Sequence, residues 1–190
     1  MSARHGYVIT IMSRDRVGIV ADVTGALLAL GGNVDAMSQT VMSGYFTIII
    51  TASFPESVTP SRLVEAVEEA GDEGELAVSV KPWTPADAQQ VVGGACDRFV
   101  LSIMGADKPG IIAKISGFLS SRNINIEDLY AYVEDGRFVL ISQVMVPRAM
   151  DVGQLQIDLE NLWKKSGMVA YFQHENIFLA TNRVDFRGGA

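Results

Sequence analysis

The sequence is poor in the residues that build covalent or metal frameworks. Its single cysteine, Cys96, has no partner for an internal disulfide, and its two histidines, His5 and His174, stand far apart without cysteines at metal-ligand spacing. Neither a metal nor a cofactor is expected. Basic charge is also short: 15 Lys+Arg face 22 Asp+Glu, a formal net charge of −7 with a pI near 4.8. Divided after Lys81, the charges are 5 basic against 10 acidic and then 10 against 12, giving nets of −5 and −2. Neither half offers a basic face, so direct contact with nucleic-acid phosphates or anionic lipid is not expected. Long hydrophobic runs are missing as well. The longest, Tyr45–Ala52, is broken by Thr47 and Thr51 and falls far short of the roughly 20 residues of a membrane helix. Met1–Gly6 has neither the apolar stretch nor the cleavage site of a signal peptide, and a cytoplasmic protein is expected.

Catalytic signatures are lacking too. Ser13, Ser102 and Ser142 have no nearby His/Asp arrangement, and no Gly-x-Ser-x-Gly elbow occurs. Val92-Gly93-Gly94-Ala95 lacks the lysine of a phosphate loop, and Gly31-Gly32 ends a helical pattern where a dinucleotide motif would open one. The expectation is binding without turnover, hence not an enzyme. What the chain does have is apolar material: 48% of its 190 residues are hydrophobic and 19% charged, enough to build a packed core.

Sliding the chain by about 92 residues lays Tyr7–Pro55 over Phe99–Pro147 without a gap, with about fifteen identities. Asp15, Gly18-Ile19, Ala21, Gly25, Leu27 and Asn33 recur as Asp107, Gly110-Ile111, Ala113, Gly117, Leu119 and Asn125. Val41, Gly44, Phe46, Ile49 and Pro55 recur as Val133, Gly136, Phe138, Ile141 and Pro147. The chain is a tandem duplication.

Each copy shows the same order of patterns. Tyr7–Met12 reads as a strand, apolar residues from Ile19 to Leu30 as a helix, and Val34–Met42 with Gly44–Phe54 as a hairpin. Ser61–Ala70 then reads as a helix and Leu76–Val80 as a strand. The second copy repeats this as Phe99–Met104, Gly110–Ser121, Ile126–Val133, Arg137–Val146, Leu155–Lys165 and Val169–His174. Two βαββαβ units of α+β class are therefore predicted, each ferredoxin-like, with a four-stranded antiparallel sheet and both helices on one face. The domains are expected at 1–82 and 98–181, with a linker at 83–97 and a tail at 182–190. Ala86–Val92 has the composition for a turn or two of helix, and the tail has no apolar period. His174 and Glu175 read as a surface pair closing the last strand, and His5 as solvated. Met37, Met42, Met145, Phe46 and Phe138 read as core or interface residues.

Both copies keep Asp-x-x-Gly-Ile between the first strand and first helix, and an asparagine about fifteen residues later. A helix N-terminus offers unpaired N–H groups and a dipole that suit a carboxylate, and glycine there admits a ligand close to the backbone. Asp15 or Asp107 can accept from an ammonium group, while Asn33 or Asn125 can serve either end of a zwitterion. These three groups are expected to converge on an amino acid. The same residues also have purely structural readings: the aspartates as helix caps, the glycines as close-packing positions, the asparagines as turn formers.

Asp15-Arg16-Val17-Gly18-Ile19-Val20 and Asp107-Lys108-Pro109-Gly110-Ile111-Ile112, followed by Asn33-Val34 and Asn125-Ile126, resemble the motif of the ACT domain family. The first copy carries Val17 where that family usually has proline. ACT domains are βαββαβ regulatory modules that bind amino acids, and two in a chain of this length resemble the glycine cleavage system transcriptional repressor group. The resemblance implies a ligand at an interface between ACT domains, touched by Asp15, Arg16, Val17, Gly18, Ile19 and Asn33, and by Asp107, Lys108, Pro109, Gly110, Ile111 and Asn125. It implies glycine or a serine-like amino acid as ligand, a DNA-binding regulator as protein partner, and a homo-oligomer. Asp107–Asp128 also resembles the ACT module that precedes the catalytic part of formyltetrahydrofolate deformylases, which leaves a regulatory relative of that enzyme as one alternative. A ligand-independent structural or oligomerisation module is the other.

Overall fold

A computed structural model of the chain describes residues 5–54, 58–84, 95–164 and 166–181. The chain divides into two units, Met1–Gln89 and Gln90–Ala190. The first runs β1 (His5–Arg14), α1 (Ile19–Ala29), β2 (Asn33–Met42), β3 (Tyr45–Phe54), α2 (Pro60–Glu68) and β4 (Ala77–Trp83). The second repeats it as β5 (Cys96–Ala106), α3 (Ile111–Ser120), β6 (Asn125–Glu134), β7 (Arg137–Pro147), α4 (Val152–Trp163) and β8 (Val169–His174). A further helix, α5 (Glu175–Thr181), follows. The sheets have the orders β2-β3-β1-β4 and β6-β7-β5-β8, and every neighbouring pair is antiparallel.

Alternation in the sequence explains which face of each sheet is covered. Tyr7, Ile9 and Ile11 on β1 and Phe46, Ile48, Ile50, Ala52 and Phe54 on β3 are buried, while the residues between them are more exposed. The helices meet this face through residues four apart: Ile19, Val23 and Leu27 on α1, Leu63 and Val67 on α2. In the second unit Leu101, Ile103 and Leu140 face Ile111, Ile115 and Leu119 of α3 and Leu155, Leu159 and Trp163 of α4. Burying each such aliphatic side chain contributes about 1.5–3 kcal/mol, so each unit has a core of its own. Phe46 and Phe138 belong to these cores, whereas Met37 and Met42 are exposed.

Tight hairpins close both sheets. Ser43-Gly44 and Asp135-Gly136 each have two consecutive residues at positive φ, the backbone that lets a two-residue turn follow the twist of its strands. Beyond each hairpin, β2 and β6 carry a bulge, between Val34 and Ala36 and between Ile126 and Asp128.

Three sequence expectations differ from the structure. Trp83, Cys96 and Asp97, expected in the linker, lie in strands because Trp83 pairs with Gly6, Cys96 with Pro147 and Asp97 with Val146. Glu175 does not end β8 as one of a surface pair with His174. It opens α5 and accepts a hydrogen bond from Gln143 Nε2, while His174 Nδ1 accepts from the Asn176 N–H at 3.2 Å. Helix α5 was not expected at all; its Phe178 and Leu179 line a cavity of about 220 Å³ with Val100, Tyr130 and Ile141. Ala86–Val92 and the tail 182–190 lie outside the described residues. Among those described, no helix is long and apolar enough to cross a membrane.

Candidate ligand site at the strand-to-helix corners

Each first strand passes into its helix through a corner of the same construction. The Asp15 N–H donates to the Gly44 carbonyl at 3.0 Å and the Asp107 N–H to the Gly136 carbonyl at 3.2 Å, tying each corner to its hairpin turn. The chain then turns at Gly18 (φ 99°, ψ −15°) and Gly110 (φ 85°, ψ 6°), left-handed conformations that residues with a Cβ adopt at a cost of about 1–2 kcal/mol. These glycines are the N-caps of α1 and α3. A Cβ added at Gly110 would meet nothing within 4 Å, and one at Gly18 only Arg16 Nη1 at 3.5 Å and Asp22 Oδ2 at 3.9 Å. Close packing therefore does not explain these glycines, and the backbone angle does.

Neither helix has a side-chain cap. The first intrahelical bonds join the Asp22 N–H to the Gly18 carbonyl and the Lys114 N–H to the Gly110 carbonyl, both at 2.9 Å. The amides of 19–21 and 111–113 thus have no acceptor within their own helix. The second helix of each unit differs: Thr59 Oγ1 accepts from the Arg62 N–H at 3.3 Å, and Asp151 Oδ1 from the Gln154 N–H at 3.0 Å. Asp15 and Asp107 are exposed and do not cap, so their structural reading fails. The corners combine N–H donors at a positive helix end with a neighbouring carboxylate, a pairing suited to the two ends of a zwitterion.

The basic residues of the two motifs brace the corners from behind. Arg16 forms a two-pronged pair with the Glu75 carboxylate and reaches Asp22 Oδ2 through Nη1 at 2.8 Å. Lys108 Nζ donates to the Ser166 carbonyl at 2.9 Å. Both thereby tie the corner to the connection between the second helix and last strand of their unit. The Arg16 hydrogen bond, with a lesser one from the Asp72 N–H, lowers the Glu75 carboxyl to about 2. Arg16 is in turn held charged, chiefly by Glu75 and then by Asp22. Sequence reading missed Glu75 and Ser166, because each lies nearly sixty residues from its partner and neither recurs in the other copy. Gly44 and Gly136 did carry a signal, being repeated.

Val17, at 98% exposure, forms the tip of the first corner, and Pro109 is exposed in the second. The Ile19 and Ile111 side chains are buried in the cores, so these residues can offer a ligand only their backbone. Asn33 and Asn125 do not join these corners within a unit. Asn33 pairs with Ser53, which pairs with Gly6 at the start of β1; Asn125 pairs with Met145, which pairs with Arg98. Eight strand residues separate that end from the corner, about 26 Å at the usual rise. The expected convergence fails because α1 and α3 carry the chain back along the sheet before β2 and β6 begin. Asn33 Nδ2 donates instead to Asp35 Oδ1 at 3.0 Å. Among the described residues no group of three His, Cys, Asp or Glu is placed to hold a metal.

Two outcomes follow from this geometry. Thr59→Ala and Asp151→Ala should each lower the unfolding free energy by about 1 kcal/mol, whereas Asp15→Ala and Asp107→Ala should stay within about 0.5 kcal/mol of the parent, as measured by urea denaturation. Glu75 is bound to Arg16 in the folded state and its carboxyl is lowered there, so its contribution is present above the ordinary carboxylate range and lost as pH falls towards about 2. Urea midpoints taken between pH 5 and 2, as about four steps, should therefore fall less steeply for Glu75→Gln than for the parent.

Similarity to known proteins follows the same division. An ACT domain family model matches residues 7–72, and a second ACT domain model matches residues 97–173. A UPF0237 protein of Methanopyrus kandleri is 36% identical over 88 residues, covering 46% of this chain and 98% of that protein. A UPF0237 protein of Corynebacterium diphtheriae is 30% identical over 86 residues, 45% of this chain and 97% of its own length. Two crystal structures share the fold over nearly the whole chain. One is a protein of unknown function from Galdieria sulphuraria, with a TM-score of 0.75 and 21% identity over 90% of this chain and 99% of that one. The other, assigned as a glycine cleavage system transcriptional repressor, has a TM-score of 0.66 and 21% identity over 92% of this chain and 100% of that one. With a family model matched in each half and the two βαββαβ units described above, the chain belongs to the ACT domain family and carries two of these regulatory modules in tandem.

Proposed function

We propose that this protein senses a small amino acid at its strand-to-helix corners and passes the signal on through protein contacts. The observation that carries the reading is the uncapped helix N-terminus beside an exposed aspartate, present in both units. The ligand carboxylate accepts from the amides of 111–113, or 19–21, and its ammonium donates to Asp107 or Asp15. Glycine or a serine-like amino acid suits a shallow corner in which the backbone supplies the donors. Asn33 and Asn125, about 26 Å along the strand, share in such a site through a second ACT module beside the corner, which we assign to a second copy of the chain.

Binding changes a partner only to the extent that the ligand favours one arrangement of the protein over another. The net charge of −7 supports a regulator that acts on a DNA-binding protein without touching DNA itself. Likeness in fold to the structure assigned as a glycine cleavage repressor supports control of glycine cleavage as the output.

Titration calorimetry of the full chain against the standard amino acids tests this. One amino acid should bind saturably, and Asp107→Ala or Asp15→Ala should weaken it about tenfold or more. Asn125→Ala should weaken it to the extent that the protein self-associates. Heat from no amino acid, with the protein folded, would overturn the reading in favour of a ligand-independent module.

A further inference from the structure

We propose that the first unit holds a pocket for an alkylguanidinium cation, built from the Asp35 carboxylate and the Trp83 indole at the end of the sheet away from the Asp15 corner. The two units differ at this end while keeping the same backbone. Asp35 and Glu127 are equivalent residues, each at the bulge of its strand. In the second unit the carboxylate has a cation supplied by the chain: Arg98 Nε donates to Glu127 Oε2 at 2.8 Å. In the first unit the position of Arg98 is taken by Gly6, and that of Glu175 by Trp83. Trp83 pairs with Gly6, and a Cβ there would meet the Trp83 carbonyl oxygen at 2.7 Å and its ring at 3.0 Å. No side chain can therefore grow from position 6 to neutralise Asp35 as Arg98 neutralises Glu127.

A cavity of about 400 Å³ lies there instead, lined by His5, Gly6, Asp35, Ser53, Pro82 and Trp83 among others. Asp35 Oδ1 accepts from Asn33 Nδ2 and Ser53 Oγ, both at 3.0 Å. These neutral donors orient the carboxylate without cancelling its charge, and among the described residues no lysine or arginine forms an ion pair with it. An oriented carboxylate beside an indole is the combination that holds a cation through charge-assisted hydrogen bonds and a ring face together. Arg98 on Glu127 identifies guanidinium as a head group that fits this carboxylate position, and Pro82 and the indole offer apolar surface to its alkyl stem. The pocket uses none of the corner residues 15–19; Asn33, which the amino-acid reading sets beside the corner of a second copy, serves here only to orient the Asp35 carboxylate.

Ethylguanidinium chloride titrated into the full chain, followed by the Trp83 indole N–H resonance, tests the pocket, with ethylurea as the neutral isostere. The expected result is a saturable shift with ethylguanidinium, none with ethylurea, and binding weakened about tenfold or more in Asp35→Asn. That variant keeps a side-chain carbonyl to accept from Asn33 and Ser53, and a thermal melt reports whether it is folded. The ethylurea comparison needs no variant at all. Absence of a saturable shift, an equal shift with ethylurea, or an unchanged affinity in folded Asp35→Asn would overturn the proposal.

Discussion

The left-handed glycine at each strand-to-helix corner is the constraint on which the rest of the site depends. With Gly18 and Gly110 at positive φ, the chain turns from strand to helix without a residue whose side chain could fold back over the first helical amides. The corner is then fixed from three sides. The hairpin carbonyls of Gly44 and Gly136 receive the aspartate N–H groups, Ile19 and Ile111 anchor the helices in the cores, and Arg16 or Lys108 ties the loop to the opposite connection. The first-turn amides are thus held in place by the fold itself, and the ligand proposed above would meet donors already ordered.

Duplication has preserved this scaffold while the chemistry at its margins has diverged. Each unit braces its corner with a different bond: an arginine to a carboxylate in the first, a lysine to a backbone carbonyl in the second. The first of these weakens with acid and the second does not depend on a carboxylate. At the far end of the sheet the bulge carboxylate is retained, yet it is paired within the chain in the second unit and left beside an indole in the first. In the second unit α5 supplies Glu175 and lines a cavity with Val100. Equivalent folds in this chain therefore do not imply equivalent surfaces.

The fold was legible because the features that encode it are local. Period-two alternation in Tyr7–Ile11 and Phe46–Phe54, spacing of four in the helices, and the Ser43-Gly44 turn each act over a few residues. The corner motif was legible because it occurs twice. Three things were not. Asn33 lies close to Gly18 in sequence, yet the returning helix places it at the other end of the strand, and only strand register reveals that. The Arg16–Glu75 pair joins residues 59 apart and leaves no periodic trace. The strand residues Trp83, Cys96 and Asp97 sit among prolines, glycines and polar residues, and their pairing partners decide their state more than their own propensities do.

The function proposed for the uncapped helix ends at both corners is to receive the carboxylate of an amino acid. The most direct measurement is the backbone amide spectrum of the isotopically labelled full chain during titration with the amino acid that binds. We expect the largest shift changes at the amides of 19–21 and 111–113, together with Gly18 and Gly110. Saturable binding that leaves those amides unmoved, with changes confined to other parts of the sheets, would contradict the claim.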